Sequence, residues 1–149
     1  MLRRSLLLVA ACLAVAANRP DTPAGKADQK EIDPEIGDLS GYYTCKGVEL
    51  GGKSYSGIAV ITKKNDVYVI QWVVGGGSNF VGIAVRQGST FAASWSLPSD
   101  KGGILRGVNV YKIEPGPRLV GRWATLPGHG HLQNETLTFL KHLDDPDEE

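Results

Sequence analysis

A pattern that occurs three times between residues 55 and 123 constrains the fold of this chain more than any other feature. Each copy begins with an apolar or aromatic residue, one variable residue and a glycine, and each copy ends in a tryptophan. The copies are Tyr55-Ser56-Gly57 with Trp72, Phe80-Val81-Gly82 with Trp95, and Leu105-Arg106-Gly107 with Trp123. β-Branched and aromatic residues fill the interval, and turn-forming residues stand near its middle, so each copy is predicted to form a β-hairpin.

In a hairpin, the residue numbers of each facing pair add up to the same value, and this rule gives the predicted pairing in each copy. With glycine opposite tryptophan, the midpoints fall at 64.5, 88.5 and 115, each within a run of turn-forming residues. A glycine inside a strand usually marks the close approach of another group. We therefore predict that each indole lies across the bare backbone of the glycine in its own hairpin.

The period of two along a strand assigns all three tryptophans to one face, which we interpret as the interior. The residues predicted to point inward are Tyr55, Gly57, Ala59, Ile61, Tyr68, Ile70, Trp72, Phe80, Gly82, Ala84, Phe91, Ala93, Trp95, Leu105, Gly107, Tyr111, Ile113, Leu119, Gly121 and Trp123. A one-residue bulge would reverse part of this assignment.

Two further strands are predicted outside the repeat, at about residues 41–47 and 133–141, which makes eight strands with no helix signal between them. Short turns between consecutive strands are typical of an antiparallel meander, and closure into a barrel removes the exposed edges. The predicted fold is therefore all-β, an eight-stranded antiparallel up-and-down barrel, with a two-sheet β-sandwich as the alternative. In such a barrel the strands that end in Trp72, Trp95 and Trp123 run in the same direction, so the three indoles should gather at one end.

The loops at that end, residues 48–53, 75–78, 97–103 and 125–132, are longer and richer in glycine than the hairpin turns at the other end. Binding residues concentrate in loops on rigid scaffolds. The predicted ligand-binding residues are Trp72, Trp95, Trp123, Tyr55 and Phe80, which would form an aromatic floor for a small apolar or sugar-like ligand. The alternative is a filled core in which the glycines only make room for the indoles.

The N-terminal segment has the features of a targeting sequence. Residues 1–17 join the basic pair Arg3-Arg4 to an apolar run, which is typical of a secretory signal peptide and too short to span a bilayer. We therefore expect a secreted or periplasmic protein. Val9-Ala10-Ala11-Cys12 also loosely matches a lipoprotein cleavage box, so the alternative is a lipid anchor at Cys12.

Charge and composition divide the rest of the chain into three parts. Residues 18–36 are predicted to form a disordered linker, residues 37–143 the β-barrel domain, and residues 144–149 an acidic disordered tail. Their net charges are −2, +5 and −5. A charge of +5 is modest, and the aromatic residues are predicted to face inward, so we expect no nucleic-acid partner.

Candidate chemistry is sparse. The sequence has no nucleophilic triad in strained turns and no paired inward carboxylates, and Gly75-Gly76-Gly77-Ser78 lacks the lysine and helix of a phosphate loop. His129 and His131, followed by Glu135, offer metal ligands, but their spacing in a loop is not diagnostic. We predict a binding protein rather than an enzyme, with no metal and no cofactor.

Two polar residues are predicted to point into the barrel. Cys45 is the one cysteine left after the signal peptide, and it reads as a small buried side chain, with an intermolecular bridge as the alternative. Glu135 is in phase with apolar neighbours on the last strand. A buried carboxylate needs a partner, and Asn109, Arg122 or a tyrosine hydroxyl would serve.

Apolar residues also occupy the predicted outer face of strands 2 to 4. They are Ile58, Val60, Val67, Val69, Val73, Val81, Ile83 and Val85. An apolar outer surface suggests a protein partner, or a homo-oligomer through Ile58, Val60, Val81 and Ile83. The alternative is the general preference of β-branched residues for strands.

A series of short motifs runs in a fixed order along the domain. It comprises Gly41-Tyr42-Tyr43, Tyr55-Ser56-Gly57, Tyr68-Val69-Ile70-Gln71-Trp72, Gly82-Ile83-Ala84, Tyr111-Lys112-Ile113, Leu119-Val120-Gly121-Arg122-Trp123 and Glu135-Thr136-Leu137. This order resembles small exported bacterial β-barrel proteins of mostly unknown function, some of them labelled fibronectin-binding, over about residues 41–137. The layout is also similar to that of avidin and lipocalin barrels, in architecture alone, because no biotin-site or lipocalin motif is present.

Overall fold

The structure is a computed structural model that describes residues 37–98, 102–126, 128 and 130–143. The predicted signal peptide, the linker, the acidic tail, Cys12 and His129 lie outside these residues. Eight strands follow one another: β1 (Gly41–Val48), β2 (Ser54–Lys64), β3 (Val67–Val74), β4 (Ser78–Gln87), β5 (Thr90–Pro98), β6 (Ile104–Glu114), β7 (Arg118–Leu126) and β8 (Gln133–Lys141). Within the described ranges, the chain forms no helix with the length and apolar character that crossing a membrane requires.

The strands form a closed antiparallel barrel in which every strand pairs with its neighbours in the chain and β8 pairs with β1. The closing register places Cys45 opposite Leu137 and Thr44 opposite Thr138. This confirms the predicted up-and-down barrel. The two-sheet sandwich is wrong, because closure of β8 onto β1 leaves no sheet edge.

The predicted inside and outside faces are confirmed. Along β3, Tyr68, Ile70 and Trp72 are buried, whereas Val69 and Val73 between them are exposed. Interior side chains from all eight strands then form one core. Because the faces of a strand alternate residue by residue, a one-residue slip would have exchanged the two sets of side chains. The register does shift where β1 meets β8, between Tyr42 and Tyr43, which lies outside the three hairpins of the repeat.

Two of the three predicted glycine–tryptophan pairings are wrong. Gly82 does face Trp95. In the first hairpin, however, the turn is Asn65-Asp66, where Asn65 takes a left-handed φ of 54°, a conformation that asparagine adopts more readily than most residues. This turn moves the pairing by two residues.

The third hairpin shows the same size of error. Glu114 pairs with Arg118, so the loop has three residues, and its central Gly116 has a φ of 82°. As a result Gly107 faces Thr125, and Trp123 faces Asn109. A shift of two residues leaves every side chain on its predicted face, which is why the interior was still predicted correctly.

Two indoles nevertheless cover the repeated glycines, but each comes from the preceding hairpin. Trp95 on β5 lies directly opposite Gly107 on β6, where an added Cβ would collide with the indole ring. A Cβ at Gly82 would lie 3.1 Å from the ring of Trp72. In the repeat, therefore, the indole on one strand covers a glycine on a neighbouring strand. This arrangement is known to stabilise glycines in strands.

The segment before β1 closes the end of the barrel that carries the hairpin turns. Leu39 is fully buried, and its carbonyl accepts a hydrogen bond of 2.8 Å from the Tyr43 hydroxyl. The segment is held by the strand ends next to these turns: the Lys63 N–H of β2 donates to Ser40 Oγ, and the Arg86 guanidinium of β4 donates to the Gly37 carbonyl. This end of the barrel is therefore filled.

Candidate functional site

A cavity of about 140 Å³ lies at the opposite end of the barrel, which we call the tryptophan end. Its lining consists of Glu49, Tyr55, Trp72, Val74, Gly75, Ser78, Phe80, Trp95, Asn109, Trp123 and Glu135. All five residues predicted to bind ligand are in this set. The structure thus brings them together around one space, and their role in binding stays a prediction.

The aromatic wall is built by contacts between rings. Phe80 and Trp95 meet edge to face with ring centroids 5.0 Å apart, and Trp95 and Trp123 meet in the same way at 6.3 Å. Edge-to-face contacts are a favourable geometry for aromatic pairs. Trp72 is almost fully buried, whereas Trp95 and Trp123 are half-buried and lie nearer the solvent.

The floor of the cavity carries a buried carboxylate. Glu135 on β8 is 4% exposed, and four donors surround its two oxygens. Tyr55 donates at 2.5 Å and Cys45 at 3.3 Å to Oε2, and Asn109 donates at 3.0 Å to Oε1, which also accepts from Tyr111. The predicted inward orientation of Glu135 is confirmed, with Asn109 and tyrosine hydroxyls as its partners.

Two glycines allow the tyrosines to reach this carboxylate. Gly47 on β1 pairs with Glu135 on one side and with Tyr55 on the other. Gly121 on β7 likewise pairs with both Glu135 and Tyr111. An added Cβ at either glycine would collide with the adjacent tyrosine ring. Each tyrosine side chain therefore lies across a glycine on the neighbouring strand and reaches Glu135, which is two strands away.

Burial and the negative charge of Glu135 shift the pKa values of the three acidic groups that donate to it in the same direction. Burial, and then the charge of Glu135, raise the pKa of the Tyr55 phenol, the Tyr111 phenol and the Cys45 thiol well above their usual values. All three groups therefore stay protonated at neutral pH and can act as hydrogen-bond donors to Glu135.

Three buried polar atoms near the cavity make no hydrogen bond of normal geometry within the described residues. They are the indole nitrogens of Trp72 and Trp123 and the amide oxygen of Asn109. The Trp123 N–H lies beside the Tyr55 hydroxyl, and this proximity partly opposes the rise in the pKa of that phenol. Buried polar groups without partners are uncommon, and one explanation is a bound molecule.

Other polar residues singled out in the sequence stay apart from this site. Arg122, suggested as a partner of Glu135, is wrong in that role, because it lies exposed on β7. His131 is exposed in the loop before β8. Among the residues with described positions, no group of three His, Cys, Asp or Glu side chains is arranged to hold a metal ion.

Sequence reasoning missed part of the lining. Asn109 was considered only as a partner of Glu135, although it is in phase with Gly107 and Tyr111 on the inward face of β6. Glu49 comes from a loop whose side-chain direction carries no periodic signal, whereas Ser78 begins β4 in phase with the inward-facing Phe80. The alternation along β6 was therefore the one signal that would have placed Asn109 in the cavity.

Comparison with solved structures supports the fold. The chain is similar to a redesigned β-barrel, mFAP1, whose structure was solved bound to DFHBI, with a TM-score of 0.52 and 16% sequence identity. The similarity covers 69% of this chain and 94% of that chain. At this identity the likeness shows the fold alone. No protein-family model and no curated protein matches the chain.

Proposed function

We propose that this chain is an exported, non-catalytic binding protein that takes a small ligand in the cavity at the tryptophan end. The observation that carries the proposal is the cavity itself: a space of about 140 Å³ that is surrounded by five aromatic side chains and lies next to the hydrophobic core. A space of about 150 Å³ in another protein accommodates benzene. The proposed ligand is therefore a molecule with one ring, or a larger molecule that places one ring inside.

The composition of the lining also supports binding. Ligand sites are mainly aromatic and apolar, with a few polar groups that fix orientation. Here Asn109 and Glu135 supply those polar groups at the floor. The redesigned barrel mFAP1 is bound to DFHBI, and this supports the proposal only as an example of a barrel of similar fold with a small ligand.

A pair of matched variants tests the proposal. Val74 lines the cavity, whereas its neighbour Val73 is exposed on the outer face. Val74→Phe should fill the space and abolish the change in tryptophan fluorescence that a panel of small ring compounds and glycans produces. Val73→Phe should leave that change intact. A panel that changes the fluorescence of neither wild type nor variants would contradict the proposal.

Export is a separate part of the proposal, supported by the basic pair and apolar run of residues 1–17. When the full chain is produced in a bacterial host, the exported fraction should begin near residue 17 or 18, by N-terminal sequencing. A lipid-modified Cys12 at the new N-terminus would show that the protein is anchored to the membrane rather than simply secreted. Recovery of only the uncleaved chain from the cytoplasm would contradict export.

A second candidate, protein interaction or self-association through the outer face, is favoured by a row of exposed β-branched residues. Val81, Ile83 and Val85 on β4 are about half exposed, and Val108 and Val110 on β6 extend the surface. Ile83→Lys should then reduce association in analytical ultracentrifugation or partner capture. Thr138→Lys, on the opposite outer face, is the matched control. An unchanged sedimentation profile and unchanged partners for Ile83→Lys would rule this candidate out.

A further inference from the structure

The charges around the cavity have one sign. Glu135 lies at the floor and Glu49 is exposed in the loop after β1, and no lysine, arginine or histidine is among the described residues of the lining. The one ion pair found in the described part of the chain, Arg118 with Glu114, involves neither of them. Among the described residues of the lining, a cation that enters the cavity would therefore meet negative charge and no positive charge.

Hydrogen-bond donors alone surround the Glu135 carboxylate. A carboxylate offers about four acceptor positions, and Glu135 uses them for the hydroxyls of Tyr55 and Tyr111, the Cys45 thiol and the Asn109 amide. Every one of these partners donates. They can stabilise a carboxylate by hydrogen bonding, but they supply no opposite charge, so no described residue provides a counter-ion for this buried group.

Two further features of the lining favour a cation that carries an N–H. The faces of indole rings attract cations, most strongly where water is excluded, and Trp72, Trp95 and Trp123 all line the space. Asn109 is only 3% exposed, and no described group donates a hydrogen bond to its amide oxygen. A quaternary ammonium group would leave that oxygen unpaired, whereas a primary or secondary ammonium group can donate to it.

The indole N–H groups of Trp72 and Trp123 make no hydrogen bond of normal geometry within the described residues, and an anionic ligand would provide an acceptor. Repulsion from Glu135 and Glu49 acts against an anion, however, and a charge–charge interaction in a partly buried site outweighs a neutral hydrogen bond. A neutral acceptor such as a hydroxyl, on the same cationic molecule, would satisfy the indoles without that repulsion.

We propose that the site selects a small organic ammonium cation with at least one N–H, its charge held over the indoles and beside the Glu135 carboxylate. This inference rests on the proposed function, and it adds the chemical class of the ligand. Glu135 acts through its field and through Tyr55 and Asn109, because its own acceptor positions are already filled.

Three probes of nearly equal size and different charge test the inference: benzylammonium, benzyl alcohol and benzoate. Isothermal titration of the full chain at pH 7 and low salt should give an affinity for benzylammonium at least tenfold above that for benzyl alcohol, with no detectable binding of benzoate. Equal or tighter binding of benzyl alcohol or benzoate would overturn the ammonium inference and leave the binding function standing. Absence of binding by all three would contradict both.

Charge-removing variants locate the origin of the preference. Glu135→Gln should lower the affinity for benzylammonium at least tenfold and leave that for benzyl alcohol within twofold, whereas Glu114→Gln, in the ion pair with Arg118, should change neither. If Glu135→Gln does not fold, Glu49→Gln provides the test: it should weaken benzylammonium binding severalfold at low salt and have less effect at 0.5 M salt, because an exposed charge is screened. A folded Glu135→Gln protein, or a Glu49→Gln protein, with the wild-type preference would overturn the inference.

Discussion

At the scale of single residues, the buried Glu135 carboxylate links the stability of the barrel to the geometry of the cavity. Its donors come from β1, β2 and β6, so this one side chain on β8 is hydrogen-bonded to three other strands. Removal of one partner of a buried charge leaves a donor or an acceptor position unpaired, which costs more than the bond itself contributes. The network should therefore be sensitive to the loss of any one hydroxyl.

Tyr55→Phe tests this sensitivity. The substitution removes the hydroxyl that donates to Glu135 and keeps the ring over Gly47, so the free energy of unfolding should fall by about 1.5–3 kcal/mol, as for a hydrogen bond to a charged group. Tyr42→Phe is the matched control, because the Tyr42 hydroxyl makes no described hydrogen bond and its side chain points outward from β1; we expect a change within about 0.5 kcal/mol. Urea unfolding measures both, and equal values for the two variants would contradict the assigned role of the network.

The same residues predict how stability depends on pH. Burial raises the pKa of Tyr43, Tyr55, Tyr111 and Cys45 above their unfolded values. A group whose pKa is raised on folding contributes its full stabilisation at pH values below its unfolded pKa. This contribution is lost as the pH rises from the unfolded pKa toward the folded pKa. Stability should therefore be level near pH 8 and fall above about pH 9 to 10, by up to about 1.4 kcal/mol per pH unit for each buried tyrosine.

Urea unfolding between pH 8 and pH 11, with tyrosinate absorbance at 295 nm, checks this dependence. In the native state the absorbance of the buried tyrosines should rise only together with unfolding. A free energy of unfolding that stays constant from pH 8 to pH 11 would contradict the assignment of these phenols as buried and protonated.

At the scale of structural elements, the two ends of the barrel differ because different segments cover them. The segment of residues 37–40 lies across the hairpin-turn end and places Leu39 in the core. The tryptophan end has no comparable apolar plug among the described residues, and its rings meet edge to face around a space. One end is therefore filled by the chain itself, and the other is the end at which we propose that a ligand binds.

Leu39→Ala measures the contribution of this plug. Truncation of a fully buried leucine leaves a cavity, so we expect a loss of about 2–5 kcal/mol in the free energy of unfolding. Leu50→Ala, at a residue that is 45% exposed, should change it by about 0.5 kcal/mol or less. Thermal or urea unfolding distinguishes the two, and a Leu39→Ala protein as stable as Leu50→Ala would mean that residues 37–40 do not close the barrel.

At the scale of the whole molecule, the alternation of side chains was enough to predict the barrel, its interior and the clustering of the indoles at one end. The pairing within hairpins was less predictable, because it depends on turn geometry: the left-handed conformation of Asn65 and the three-residue loop around Gly116 each moved it by two residues. Periodicity also cannot place loop residues such as Leu39 and Glu49. Whether the indoles fill the space or surround it depends on ring orientation, which sequence patterns do not encode.

The most direct test of the central claim uses the indole N–H resonances of Trp72, Trp95 and Trp123, the three tryptophans of the chain. We predict that titration of ¹⁵N-labelled protein with benzylammonium or benzyl alcohol shifts all three resonances together and saturably, and that Val74→Phe removes the shifts. Resonances that stay fixed with both probes, or that shift singly and without saturation, would contradict a ligand cavity enclosed by the three indoles.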